Sequence, residues 1–565
     1  MDSFPSEISP VRSPGHEGGS VGTTIGDYLV RRLLEHGVRD VFGIPGDYVL
    51  SFYALMENSP LQLVGCTRED CAGFAADAYA RINGMGAVCV TYCVGGLSIA
   101  NAVAGAYAEK SPVVVISGSP GMRERVDDPL LHHKVRSFST QKEIFEKITV
   151  ASAVLDDPET AFRRIDECLA ACWRHKRPVY LELPRDLVDA QMRFPHAPLE
   201  ASEHFDARIL REALHEAIAR LNRAKRPVIL ADVEMHRFGL ADELRRLTER
   251  TNIPVAVTIL GKSVMSELHP NYLGIYGGAM GRAEVRAEVE GSDCLLMLGT
   301  VLTDVNLGIF TADLDHGRAI EATSELISIS RHRYADVDFV QFVRSLTRAR
   351  LRRHPARRLV PPCPPPDEPA GDQAISVTRL FHFINQRLSD NMAVVCDVGL
   401  CLFGAIDLVI HRKTEFIAPA YYTSMGFAVP ASIGVALANP KLRPVVLVGD
   451  GAFQMTGMEL STIVAQGLDP IVIVLNNHGY TTERFIKDGS YNDILNWRYD
   501  RIPEILGHGW GRQVCSEREF VDAWDIACAY RGRFSLISVE LDPFDHCPAL
   551  GRLGERMARN LAQPG

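Results

Sequence analysis

Short apolar runs rich in Val, Ile and Leu alternate with longer amphipathic or alanine-rich runs along most of this 565-residue chain. A strand that reads as near-continuous Val, Ile and Leu must be buried on both faces. The alternation therefore predicts parallel sheets covered by helices on both sides. In the first block, 38–42, 62–64, 87–91, 113–117 and 179–183 read as strands, with CAGFAADAYARIN and LSIANAVAGAYAEK as helices between them. The block ends near Pro195. A second block opens on the helix FDARILREALHEAIARLNRAK and carries strand-like runs at 227–230, 255–259, 294–298 and 327–329. No G-x-G-x-x-G follows a strand there, so this block reads as structural. In the third block Ser376 is expected to cap the first helix, and 444–448 and 471–475 read as buried strands. The predicted fold class is α/β, with three doubly wound parallel-sheet domains. Arg-Pro-Val recurs at 177, 226 and 443, each time opening a strand, and reads as a shared strand-opening device.

Polar and proline-dense stretches divide these blocks. Residues 1–20 lack the apolar core of a signal peptide and read as a disordered tail. The expected domains are 21–196, 203–350 and 374–565, with a Pro-rich linker over 351–373. There the run RRHPARRLVPPCPPPDEPAGDQ is expected to lie extended over the surface. Composition adds exclusions: 46% of residues are hydrophobic, 23% are charged, and the net charge is −10. This balance argues against nonspecific nucleic-acid binding, and no apolar run is long enough to predict a membrane span. Thirteen cysteines are scattered without a C-x-x-C. They read as free thiols in a reducing cytoplasm.

The strongest chemical signal is VVLVGDGAFQMTGMELSTIVAQGLDPIVIVLNNHGY, from 445 to 480. Thr456 and Glu459 have capping-box spacing, and Gly467 is placed to close the helix they would open. Strand, helix and strand of this length form a right-handed crossover. That brings Asp450 and Asn477 to neighbouring strand ends on one edge of a sheet. A carboxylate and a side-chain carbonyl there suit Mg²⁺, which keeps other positions for water and phosphate. Gly451 is expected to let backbone N–H groups approach a diphosphate. Gly-Asp-Gly alone is a common turn; two motifs in register on adjacent strands indicate a metal-diphosphate site.

This pattern resembles the thiamine-diphosphate motif, and other segments extend the likeness. FGIPGDYVLSFY, TREDCAGFAADAYARINGMG, VTYCVGG, AVAGAYAEKSPVVVISGSPG and LLHHK resemble the N-terminal domain of the thiamine-diphosphate-dependent 2-oxo acid decarboxylases. The likeness runs from about Thr23 to about Asp542. It implies the three-domain fold of that family, thiamine diphosphate and Mg²⁺ as cofactors, and conversion of a 2-oxo acid to an aldehyde and CO₂. By the same resemblance Glu69 is the cofactor-activating glutamate, which favours the imino tautomer of the aminopyrimidine. Standing alone it would be a first-turn glutamate complementing a helix dipole. The resemblance further implies that Asp47 faces the substrate and that His132 and His133 are the paired histidines of decarboxylases. Glu483, in GYTTERFI, is then a second active-site acid. Asp450, Asn477 and the carbonyl of Gly479 hold the metal. Gly451, Ala452, Thr423 and Met425 contact the cofactor, Met425 being the bulky residue beneath it.

Val398 and Leu400 stand where threonines are common in the family, and Thr482 where a larger side chain is frequent. With Phe403 and Ile486 they form the expected substrate pocket, larger and more apolar than a pyruvate enzyme needs. Aromatic, branched or long-chain 2-oxo acids are therefore expected to be preferred. The alternative reading is a carboligase resembling acetohydroxyacid synthase, since methionine at the place of Met425 is familiar from synthases. The family resemblance also implies a homodimer or dimer of dimers, a homotetramer, with active sites shared between subunits.

Overall fold

The computed structural model describes residues 22–193, 195–199, 205–357, 368–369, 371–411 and 414–562. The tail expected at 1–20 lies outside the described residues, as does much of the expected linker (358–367 and 370). The chain divides into two compact units, one of residues 1–76, 83–103 and 112–201, the other of 77–82, 104–111 and 202–565.

The first unit is built on one six-stranded sheet of β1 (Asp40–Gly43), β2 (Gln62–Gly65), β3 (Gly86–Val90), β4 (Val113–Ser119), β5 (Ala151–Val154) and β6 (Val179–Pro184). The order is β2-β1-β3-β4-β6-β5, and every pairing is parallel. Val41, Cys89, Ile116 and Leu181 bury one face against Phe162 and Leu169 of the helix Pro158–His175. That helix starts where Asp157 accepts from the Glu159 N–H with proline next in line, a favoured start for a helix. The edge strand β5, absent from the sequence reading, is only half-buried and too short to show a period.

The second unit holds two sheets. One comprises β7 (Pro227–Ala231), β8 (Val255–Val257), β9 (Tyr272–Ile275), β10 (Cys294–Leu298), β11 (Ala319–Ala322), β12 (Ile327–Ile329) and β13 (His332–Tyr334). Its order is β13-β12-β11-β10-β7-β8-β9. Five strands are parallel, and β12 and β13 are appended antiparallel at one edge, so the doubly wound pattern holds with a mixed margin. The other sheet comprises β14 (Met392–Cys396), β15 (Glu415–Ile417), β16 (Arg443–Gly449), β17 (Ile471–Asn476), β18 (Trp510–Val514) and β19 (Ser535–Glu540). It is all-parallel in the order β15-β14-β16-β17-β19-β18. This repeats the strand order of the first unit's sheet.

Two local expectations resolve differently. Ser376 does cap the helix Val377–Arg387, accepting from the Arg379 N–H. Thr456 does stand at the N-cap of the short 3-10 segment Gly457–Glu459, which runs on into the helix Leu460–Ala465, but its side chain makes no capping bond. The helix after β16 starts at Asp450 and ends at Thr456, whose hydroxyl donates to the Gly426 carbonyl. Glu459 accepts from Thr462 instead of closing a capping box. A tertiary bond from Thr456 and a different local bond to Glu459 outcompete the capping box. Gly467 adopts a φ of +63°, and its N–H bonds to the Val464 carbonyl, closing the helical segment before β17.

Candidate active site

In the sheet of β14 to β19 the strand order reverses between β14 and β16, the position where open α/β sheets bind ligands beyond their carboxyl ends. A cavity of about 500 Å³ lies there, lined by the segments that follow β14, β16 and β17. Val398, Leu400 and Phe403 come from the first, Asp450, Gly451 and Ala452 from the second, and Asn477, Gly479, Thr482 and Glu483 from the third. Thr423 and Met425 enter from the loop after β15. Twelve of the residues picked out in the sequence thus converge on one cavity. Ile486 does not: it lies outside and is 78% exposed.

The metal-ligand candidates are held by the loops themselves. Asp450 Oδ1 accepts from the Gly451 N–H (2.7 Å), and Oδ2 accepts from the Gly479 N–H (3.0 Å). Gly451 N–H is thereby engaged within the turn. Gly451 needs to be glycine because a Cβ would stand 2.5 Å from the Tyr480 ring. Gly479 has a φ of +141°, and a Cβ there would meet the Asn492 carbonyl at 2.0 Å. Only glycine can carry the chain through that turn.

Of the two asparagines, Asn476 turns toward Glu540 and Asn496, to which its amide donates. Asn477 donates to Thr481 Oγ1 (2.7 Å), and its Oδ1 is buried with no hydrogen-bond partner among the described residues. Burial pushes the Asp450 carboxyl up to about 6 despite its backbone donors. An orphaned carbonyl oxygen beside a buried, under-compensated carboxylate is a donor set that a hard divalent cation would satisfy. The residues fit Mg²⁺.

Asp397, which the sequence reading did not single out, supports the loop bearing Met425. Its buried carboxylate accepts from the N–H groups of Val398, Gly426 and Ala428, and burial raises its pKa to about 6. A carboxylate at the end of a buried strand was the available signal.

In the first unit, Asp47, His132 and His133 meet: one potential ligand atom from each lies within 4.8 Å of the others. His132 Nε2 is 2.8 Å from Asp47 Oδ2, and its ring stacks on Tyr48 at 4.6 Å. Arg185 approaches the same Asp47 oxygen at 3.4 Å. His133 sits at a φ of +66°, with its Nδ1 buried and unpartnered among the described residues. Glu69 is the first residue of the helix Glu69–Asn83, and a Cβ on Gly95 would stand 3.6 Å from its Oε1.

Comparison with known proteins matches the chain over all three blocks. Residues 23–144 match the thiamine pyrophosphate enzyme N-terminal TPP binding domain, 214–349 the central domain, and 397–539 the C-terminal TPP binding domain. The chain is 38% identical over 552 residues to the indole-3-pyruvate decarboxylase of Azospirillum brasilense, covering 96% of this chain and 99% of that one. It is 36% identical over 532 residues to the alpha-keto-acid decarboxylase of Mycolicibacterium paratuberculosis (92% and 94% covered). It is 35% identical over 545 residues to that of Mycobacterium tuberculosis H37Rv (95% and 97% covered). With all three domains matched and relatives similar over nearly their whole length, the chain belongs to the thiamine-diphosphate-dependent 2-oxo acid decarboxylases.

Proposed function

We propose that this enzyme prefers 2-oxo acids with large apolar side chains, aromatic, branched or long-chain, over pyruvate. The observation that carries this is the makeup of the cavity. Val398, Leu400 and Phe403 form an apolar wall, and the small Thr482 faces it, its hydroxyl 3.4 Å from where a Cβ on Gly399 would stand. Room and apolar surface reward a large substrate by burial. The relative from Azospirillum brasilense is named for indole-3-pyruvate, which supports the same direction.

In this reading Asp450, Asn477 and the Gly479 carbonyl would hold Mg²⁺. Gly451 and Ala452 would hold the diphosphate, and Thr423 and Met425 would contact the rest of the cofactor. When bound, thiamine diphosphate supplies the electron sink for the bond between the carbonyl carbon and the carboxylate. The protein's part is to place, desolvate and move protons. Glu69 holds a proton at the pyrimidine ring nitrogen. Asp47, His132, His133 and Glu483 face the substrate and share acid and base duty, delivering a proton to the carbon that loses CO₂. Exclusion of water from the substrate carboxylate favours its departure as neutral CO₂.

The assembly we propose is a homodimer or dimer of dimers with shared active sites, as the family resemblance implies. Exposed apolar side chains at Phe485 and Ile486, on the Glu483 helix, and at Leu495 support burial by a second copy. No disulfide joins any two of the twelve described cysteines, which supports a cytoplasmic address. Among the described residues no helix is long and apolar enough to cross a membrane.

The test is a panel of 2-oxo acids assayed with and without thiamine diphosphate and Mg²⁺. Phenylpyruvate, indolepyruvate or long aliphatic acids should exceed pyruvate in kcat/KM by about one to two decades. Pyruvate as best substrate would refute the pocket reading.

A further inference from the structure

The loop that carries Thr423 and Met425 into the cavity is not held by its own sheet alone. Glu109, just past the helix Ala100–Ala108, is 1% exposed, and its Oε1 accepts from two successive backbone N–H groups, Tyr421 (2.8 Å) and Tyr422 (2.9 Å). Its Oε2 is 2.8 Å from Arg81 Nη2. Arg81 is itself buried, grips Asp77 with two donors at 2.8 and 2.7 Å, and donates to the Ala418 carbonyl at 2.9 Å. Its guanidinium also lies over the Phe427 ring, 5.1 Å from the centroid. The two side chains therefore touch the loop at its start, its middle and its end.

The platform under Glu109 is fixed independently. The next residue, Lys110, pairs through Nζ with the buried Glu234 (2.5 Å), and its carbonyl accepts from Arg237 Nε (2.9 Å). Gly105, one helical turn before Glu109, lets the Tyr422 ring lie against the helix: a Cβ there would be 3.1 Å from the ring. On the far side of the loop, Asp397 holds the Gly426 and Ala428 N–H groups.

A buried ion cluster is a poor way to gain stability, because desolvating the charges offsets most of their attraction. What it does well is specify geometry, since a buried carboxylate with fixed donors has few alternative arrangements. Thr423, the residue after the two capped N–H groups, sits at a φ of +54°, a conformation that needs its neighbours held.

We infer that Glu109, backed by Arg81, is a positioning residue for the cofactor: by capping Tyr421 and Tyr422 it sets where Thr423 and Met425 stand in the cavity. The inference rests on the reading of that cavity as the thiamine-diphosphate site.

The experiment compares Glu109→Gln and Glu109→Leu with wild type by two measurements on cofactor-free protein. One is amide hydrogen exchange across 418–427. The other is titration with thiamine diphosphate at saturating Mg²⁺, followed by intrinsic fluorescence. Leucine leaves two N–H groups and Arg81 without their acceptor, so exchange over 418–427 and the Kd for thiamine diphosphate should each rise about tenfold or more. Glutamine keeps one acceptor oxygen for the two N–H groups while losing the charge and the acceptor that faces Arg81, and both changes should be about threefold. Exchange over β16 and β17 should stay at the wild-type level in both variants. The inference is overturned if exchange over 418–427 and affinity stay within about twofold of wild type. It is equally overturned if exchange rises without loss of affinity, or if β16 and β17 loosen along with the loop. Should the leucine variant fail to fold, the glutamine variant decides by the same criteria. A wild-type protein that does not bind thiamine diphosphate would instead refute the cofactor-site reading, and the exchange measurement would still report on the clamp.

Discussion

Asn477 donates its side-chain amide to the Thr481 hydroxyl, and that hydroxyl donates onward to the Pro543 carbonyl at 2.9 Å. An asparagine amide carries its oxygen opposite its nitrogen, so this relay leaves Oδ1 available to the proposed cation. Thr481→Val keeps the shape and removes the relay. The Mg²⁺ concentration for half-maximal reconstitution of metal-stripped enzyme should rise about 10–100-fold. Titration at saturating thiamine diphosphate measures it, and an unchanged midpoint would show that Thr481 does not orient Asn477.

Glu69→Gln separates activation from binding. A neutral amide fills the same volume beside Gly95 and cannot hold the proton that the assigned role requires. Turnover should fall by about 10²–10⁴-fold, while affinity for thiamine diphosphate, read calorimetrically, changes little. Near wild-type turnover would remove Glu69 from the mechanism.

Thr482→Ile tests the size of the pocket. Adding apolar bulk opposite Gly399 should cost large substrates about 1.5–3 kcal/mol of transition-state stabilisation. It should leave smaller 2-oxo acids less affected. The ratio of kcat/KM for phenylpyruvate to that for pyruvate should then drop by about one to two decades. A ratio that does not move would mean that Thr482 is not in contact with the substrate side chain.

The homodimer or dimer of dimers is checked by analytical ultracentrifugation. The active protein should sediment as at least a dimer at assay concentrations. A fully active monomer would contradict shared active sites.

A pH dependence of stability is expected from His36, at the end of the helix Ile25–Glu35. Burial above all, then Arg32, and more weakly Lys176, push its pKa down to about 4, against Glu35 and Asp166, which pull it up. As pH falls from about 6.5 toward 4, the unfolded chain takes up a proton that the native state refuses, so native stability is lost through that window. Replacing His36 by glutamine removes this term. Between pH 7 and pH 5 the wild type should lose about 2 kcal/mol more than His36→Gln, read from urea unfolding at each pH. Parallel losses would show that the ring titrates normally.

Much of this was legible along the chain. Buried parallel strands must be apolar throughout, so the runs that became β4, β6, β7, β10, β16 and β17 announced themselves, and helix handedness then put Asp450 and Asn477 on one edge. The metal-diphosphate motif was readable because its residues follow strands in register. The tertiary structure decided what depends on partners far away in sequence. The strands not expected from the sequence are β5, β9, β11, β13, β14, β15, β18 and β19, three to six residues long. Segments this short carry little period of their own, and each forms as a strand by pairing with a neighbour. Which asparagine serves the cavity was set by Glu540 and Thr481, the one 64 residues from Asn476 and the other one helical turn from Asn477. The support from Glu109, more than 300 residues before the loop it caps, left no local pattern at all. A side-chain acceptor for a distant backbone N–H has no periodicity, and only the folded chain brings the two together.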